Sequence, residues 1–157
     1  MINQTAETVN PPQGVPFIVE ALIDAMKRSG GLQTEGIFRI STRPDLLRSL
    51  RSKFEGGDYI VSGQHADPHV CGCLLKEWLR NLPEPLIPAA MRDRALDLSH
   101  KSKEKGPNCV VVEGGAMEQF LLELPKANRV LIYRLLDLFL EVAFFGRLSR
   151  SMQGNLT

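Results

Sequence analysis

The spacing of apolar residues along the chain predicts helices. From position 16 onward, apolar side chains recur at intervals of three and four residues, which places them on one face of an α-helix. Ile18, Leu22 and Met26 show this spacing in the first segment. The segments with this pattern span residues 16–29, 44–55, 68–81, 89–98, 117–124 and 127–145. The pattern therefore predicts an all-α fold, an irregular bundle of about six or seven helices joined by short loops.

The parts of the chain without a helical period are predicted to be connectors. Residues 1–13 are polar and contain Pro11-Pro12, so we expect a flexible lead-in there. Residues 101–115 are charged and contain glycine, and we expect a loop. Gly146 is expected to end the last helix. The length of 157 residues fits one domain, which we place at residues 14–157.

The predicted helix over residues 68–81 has two chemically different faces, because successive residues turn by about 100° around a helix. One face carries the apolar residues Cys71, Leu74, Leu75, Trp78 and Leu79. The other face carries His69, Cys73, Lys76 and Arg80. We expect the apolar face in the core, whereas the basic face is either solvated or available to a partner.

Composition and charge exclude several classes of protein. Apolar residues make up 43% of the chain and charged residues 24%, which is typical of a globular domain and not of a disordered chain. The net charge of +1 argues against a dedicated nucleic-acid binder. The longest apolar segment, residues 130–145, is interrupted by Arg134, Asp137 and Glu141, so we expect a core helix and no membrane span.

The cysteines predict neither disulfides nor a metal site. Three cysteines are an odd number without a disulfide-like framework, and we therefore expect a reducing, cytoplasmic compartment. Cys71 and Cys73 would point about 200° apart on a helix, so we expect no zinc and no other bound metal. The sequence also contains no Gly-x-x-x-x-Gly-Lys-Ser/Thr loop, and we do not expect this chain to hydrolyse nucleotide itself.

A short run around Arg39 carries the most distinctive chemistry. Arg39 is the single cation within residues 34–41, it lies between two apolar side chains, and Gly36 permits a tight bend just before it. An arginine fixed on a rigid loop is suited to being offered to another molecule. The alternative is that its stem lies along apolar surface while its guanidinium stays in water.

Two segments resemble a Rho GTPase-activating (RhoGAP) domain in residue types and spacing. They are the motif Gly36-Ile37-Phe38-Arg39 and the run LLKEWLRNLPEPLIP at residues 74–88. The resemblance covers nearly the whole chain, from Gly14 to Leu156. It implies the RhoGAP type of multi-helix bundle, with the chain ending before the family's C-terminal helical segment. It also implies a partner, a Rho-family small GTPase in its GTP-bound state, whose GTP hydrolysis this domain accelerates. The domain would then be an activator and not itself an enzyme.

The resemblance assigns roles to individual residues. Arg39 takes the place of the arginine finger, which is inserted into the GTPase and acts in catalysis. Lys76 takes the place of a lysine that contacts the GTPase, and Arg80 that of an arginine that holds the finger loop. Asn155 matches an asparagine that faces the GTPase, although its distance from Met152 is one residue shorter than in the family.

The other residues of the motif are expected to support the finger. Gly36 would allow the bend, Phe38 would anchor the loop by burial, and Glu35 would orient it. Thr42 departs from the family, which commonly has glycine there, and would stiffen the loop. The resemblance implies no cofactor of the domain's own, since GTP and Mg²⁺ belong to the GTPase.

Other functions stay open at this stage. A domain of this fold can bind GTPases without accelerating them, although such domains have usually lost the finger. A helical scaffold with another partner, or a module that uses its basic residues on a lipid surface, is a further alternative. The domain could also be recruited to membrane surfaces by neighbouring domains of a larger protein.

Overall fold

The computed structural model describes residues 14–104 and 115–154. Within these ranges the chain forms six α-helices and no strand, which confirms the predicted all-α fold. The predicted lead-in over residues 1–13 lies outside the described part. The helices are α1 (Phe17–Arg28), α2 (Pro44–Glu55), α3 (Pro68–Arg80), α4 (Arg92–Glu104), α5 (Ala116–Glu123) and α6 (Lys126–Gly154). Short 3₁₀ turns at Gly31–Gln33, Gly63–Ala66 and Ala89–Met91 lie between them.

Helices α2 and α3 begin where the sequence predicted. Both α2 and α3 have proline in their first turn. Backbone N–H groups there have no partner within the helix, so the N–H that proline lacks costs no hydrogen bond. The Asp67 carboxylate caps α3 by accepting a hydrogen bond of 2.7 Å from the His69 amide. The hydroxyls of Ser41 and Thr42, in contrast, do not cap α2, because Arg43 occupies the N-cap position and makes no side-chain cap.

Two helix boundaries differ from the predictions. Residues 101–104, expected to be loop, continue α4 to Glu104, since lysine and glutamate are good helix formers whatever charge they carry. Residues 105–114 of that expected loop lie outside the described part. The last helix does not end at Gly146 but continues to Gly154. One interior glycine costs only about 1 kcal/mol relative to alanine, which is too little to end a helix of 29 residues.

The core lies where α1, α2, α3 and α6 meet. Its largest fully buried side chains are Leu22, Ile23, Met26, Leu50, Leu75 and Leu138. On α3 the predicted apolar face is buried at Cys71, Leu74 and Leu75, whereas Trp78 and Leu79 are only partly buried. In α6, Phe139 follows the helical spacing of the apolar residues, but it is 45% exposed. Its ring lies at the edge of the core, beside the loop that follows α1.

Ion pairs fix α6 along α1. Glu20 is the one charged residue of the described part that is buried, at 5% exposure. The Arg134 guanidinium donates to both of its carboxylate oxygens, at 2.5 and 2.9 Å. This hydrogen bonding is the main cause that raises the pKa of Arg134. About two helical turns further along α1, Lys27 pairs with Glu141 at 2.7 Å. The register of α6 on α1, and with it the position of Phe139, is thereby set.

None of the helices within residues 14–104 and 115–154 combines the length and apolar character needed to cross a bilayer. Although α6 is long, charged side chains interrupt it throughout.

Candidate functional site

The loop between α1 and α2 presents Arg39 on a tight turn. We call residues 34–41 the finger loop. The Gly36 carbonyl accepts hydrogen bonds from the amides of Arg39 and Ile40, at 2.8 and 2.9 Å. Just before it, the Ile37 amide donates to the Thr34 carbonyl at 3.3 Å. These bonds pair three of the loop's amides and stabilise the turn that carries the side chain at position 39.

Gly36 has a backbone conformation that suits glycine. Its φ is 71°, in the left-handed region where a Cβ is penalised. A Cβ added at this position would lie 2.7 Å from Cδ1 of Ile40, so the Ile40 side chain would have to move to admit it. Both observations explain why the turn needs glycine at position 36.

Phe38 adopts an unusual conformation directly before Arg39. Its φ is 67°, and it is the one non-glycine residue of the described part with a positive φ. A bulky residue in this region is strained by about 1–3 kcal/mol and keeps the conformation only where its surroundings hold it. The neighbours of Phe38 therefore have to supply that energy.

Contacts from α3 and α6 surround Phe38. The Lys76 ammonium donates a hydrogen bond of 2.6 Å to the Phe38 carbonyl oxygen. The Phe38 ring packs on Gly72 of α3, where an added Cβ would lie 3.3 Å from Cδ1 and 3.4 Å from Cε1 of that ring. From α6, the Phe139 ring meets it edge to face, with the centroids 5.5 Å apart and the planes at 89°. Phe38 is thus partly buried against both helices.

Arg39 itself is exposed. Within the part of the chain whose side chains the structure describes, no hydrogen bond or ion pair engages its guanidinium. One of its terminal nitrogens lies over the backbone of Gly36, 3.3 Å from where a Cβ would be. Arg39 is therefore not buried in the apolar interior, and its donors are available to an external group.

Lys76 and Arg80 both lie beside the finger loop, on the face of α3 that was predicted to be basic. Lys76 bonds the loop directly, whereas the Arg80 Nε donates to the Lys76 carbonyl at 3.2 Å. Together with Ser41 and Thr42 they line an open cavity of about 500 Å³. The roles that the resemblance assigned to these two residues stay predictions, but it is Lys76 whose side chain bonds the loop.

The other candidate residues are Glu35, Asn155 and the cysteines of α3. Glu35 is exposed on the finger loop, and its orienting role stays a prediction. Asn155 lies outside the described residues. Burial raises the pKa of the Cys71 thiol to about 12, so Cys71 is an inert core residue and not a nucleophile. Cys73 is partly exposed, with its sulfur 3.8 Å from the Ile40 carbonyl oxygen.

Sequence reasoning missed Gly72 and Phe139 as neighbours of the finger loop. A glycine in the interior of a helix is a signal of close packing, and Gly72 carries that signal. Phe139 gives no such sign, because a phenylalanine at helical spacing is usually a core residue.

Comparisons with known proteins identify the family of the chain. A family model of the RhoGAP domain matches residues 16–155. The chain is 33% identical over 118 residues, 74% of its length, to Rho GTPase-activating protein 22 of Mus musculus. It is 27% identical over 163 residues, 92% of its length, to Rho GTPase-activating protein 45 of Xenopus laevis, and 30% identical over 90% of its length to unconventional myosin-IXb of Rattus norvegicus.

This all-α chain, with an exposed arginine on a tight turn, belongs to the RhoGAP domain family. It spans only a small part of the relatives that it matches, which are 16%, 14% and 7% covered in the order given above.

Proposed function

We propose that this domain accelerates GTP hydrolysis by a Rho-family small GTPase in its GTP-bound state, and that it does so by supplying Arg39 in trans. Membership in the RhoGAP family supports the class of activity, and the names of two of the relatives above agree with it. The observation that carries the proposal is the exposed Arg39 guanidinium, which lies on a hydrogen-bonded turn and is free of partners within the described part of the chain.

The chemistry explains why an arginine is needed. When the γ-phosphoryl group is transferred to water, negative charge is spread over its oxygens and the leaving oxygen. A guanidinium that enters this site stabilises that charge with its donors already oriented. For Ras, the activator raises the rate of hydrolysis by about 10⁵-fold, which corresponds to roughly 7 kcal/mol, and its arginine supplies much of this gain. Lysine is a poor substitute because it lacks the planar pair of donors.

The residues around Arg39 divide the work in this proposal. Lys76 holds the finger loop through the Phe38 carbonyl, and this contact supports a positioning role for it. Arg80 is exposed beside the same loop and belongs to the docking surface, where a positive charge increases the rate of encounter with an acidic partner. Asn155 is proposed to face the GTPase. GTP and Mg²⁺ are carried by the partner, and the domain is proposed to act in the cytoplasm without a cofactor of its own.

Single-turnover GTP hydrolysis tests the proposal. A panel of GTP-loaded Rho-family GTPases is measured with and without this chain, and with its Arg39→Ala variant. We expect acceleration of at least one GTPase and its loss in the variant. Binding to the GTP form without acceleration would make the domain a binding module instead. No interaction with any member would leave a scaffold with another partner.

A further inference from the structure

The direction in which Arg39 points depends on the residue before it. Phe38 has a φ of 67°, and this dihedral fixes how the chain enters position 39. If Phe38 relaxed to an ordinary negative φ, the backbone would rotate and the Arg39 side chain would leave the turn in another direction. Whatever keeps Phe38 in the left-handed region therefore also aims the arginine.

Two residues contact the Phe38 ring from opposite helices, Gly72 from α3 and Phe139 from α6. On the α3 side, Gly72 lets the ring approach the helix to a distance that a methyl group would obstruct. On the α6 side, Phe139 covers the ring with an edge-to-face contact. Core burial does not explain Phe139, because it is 45% exposed.

The position of Phe139 is itself fixed. The Glu20–Arg134 pair and the Lys27–Glu141 pair attach α6 to α1 on either side of it in sequence. The aromatic contact thus joins a rigid frame to the strained residue of the finger loop. An exposed residue next to it on α6, Leu140, is 68% exposed and provides a matched comparison.

We infer that Phe139 and Gly72 are positioning residues, which hold Phe38 in its left-handed conformation and thereby aim Arg39 at the reacting phosphate of the partner. This inference rests on the proposed function. Neither residue touches the nucleotide in this account. Their effect is on the geometry of the transition state, so they act on the rate within the complex and not on the formation of the complex.

The test measures single-turnover hydrolysis at increasing concentrations of the domain, which separates the saturating rate from the half-saturating concentration. We expect Phe139→Ala to lower the saturating rate by about 10- to 100-fold, because a small misplacement of a catalytic group has effects of this size. Its half-saturating concentration is expected to change by less than about threefold. Phe139→Tyr keeps the aromatic edge and should retain the rate, as should the control Leu140→Ala.

Gly72→Ala is the second variant. Alanine favours a helix over glycine, so thermal stability should not fall through α3 itself. The added methyl nevertheless pushes on the Phe38 ring, and we expect the saturating rate to fall. A lower rate in a folded variant separates positioning from a general loss of structure.

The outcomes distinguish a failure of the proposed function from a failure of the positioning inference alone. If Arg39→Ala is as active as the unmutated domain, the proposed function itself is wrong. If Arg39→Ala is inactive while Phe139→Ala and Gly72→Ala keep the full saturating rate, only the positioning inference is overturned. The same holds if Phe139→Ala changes the half-saturating concentration alone, or if Leu140→Ala loses as much rate as Phe139→Ala.

Discussion

The ammonium of Lys76 lies 2.6 Å from the carbonyl oxygen of Phe38, and this hydrogen bond ties the middle of α3 to the residue that precedes Arg39. Because the acceptor is a backbone oxygen, the bond restrains the path of the chain as well as one side chain. The basic face of α3 thus acts on the finger loop from within the domain, in addition to any contact it makes with a partner.

Replacing Lys76 should therefore reduce the rate within the complex. We expect Lys76→Met, which keeps most of the stem and removes the donor, to lower the saturating rate of GTP hydrolysis by about tenfold or more. Single-turnover kinetics at low and high salt measure this effect. If Lys76 instead acts only as a docking charge, the saturating rate will stay unchanged and the loss will appear in the association rate at low salt.

Gly36 should tolerate alanine poorly, and Gly57 offers a matched control. Both glycines have a positive φ, of 71° and 81°, but a Cβ at Gly57 meets nothing within 4 Å. Gly57→Ala should cost about 1–2 kcal/mol of unfolding free energy from backbone strain alone. Gly36→Ala adds the contact with Ile40 and should cost more. Urea unfolding measures the difference, and equal losses would contradict the steric part of the explanation.

The Glu20–Arg134 pair should matter far more to stability than an exposed pair. Glu20→Ala leaves the Arg134 guanidinium largely buried without its partner, and we expect a loss of roughly 3–5 kcal/mol. Glu123 pairs with Arg94 on the surface, and Glu123→Ala should cost less than about 1 kcal/mol. Urea unfolding of both variants tests this ranking, and similar losses would be inconsistent with it.

Cys71 should make stability depend on alkaline pH. Its pKa is raised by burial from 9.0 to about 12, so between these values the unfolded thiol loses its proton while the folded thiol keeps it. The folded state then binds more protons, and the free energy of unfolding falls as pH rises, by at most about 1.4 kcal/mol per pH unit from this group. Urea unfolding at pH 8 and 10 should show a smaller decrease for Cys71→Val. An identical decrease in both proteins would rule out the assigned cause.

The helices and their faces could be predicted because they depend on local spacing. The apolar period around Leu22 and the proline and carboxylate at the start of α3 are sufficient to place those helices. Gly146 misled the prediction because a stop signal was inferred from one residue, whereas helix length is decided by the whole segment.

The site was only partly predictable from the sequence. A short motif shows which residues lie close together along the chain, but it does not show which distant residues pack against them. Arg39 and Gly36 stand in one short motif, and so their proximity follows from the chain itself. The contact between Phe38 and Phe139 joins residues far apart in sequence and depends on how α6 lies on α1. The positive φ of Phe38 could not be read from the residue type, because phenylalanine normally avoids that region. The sequence thus indicates that Arg39 is the residue available to a partner, and tertiary packing around Phe38 determines the direction of its side chain.

The most direct measurement is the saturating single-turnover rate of GTP hydrolysis by a responsive Rho-family GTPase in the presence of the Arg39→Lys variant. This change keeps the positive charge and removes the planar pair of donors. We expect that the unmutated domain accelerates hydrolysis and that the variant loses most of this effect, on the order of 10³-fold or more. A variant that accelerates hydrolysis as fast as the unmutated domain would rule out Arg39 as the arginine finger.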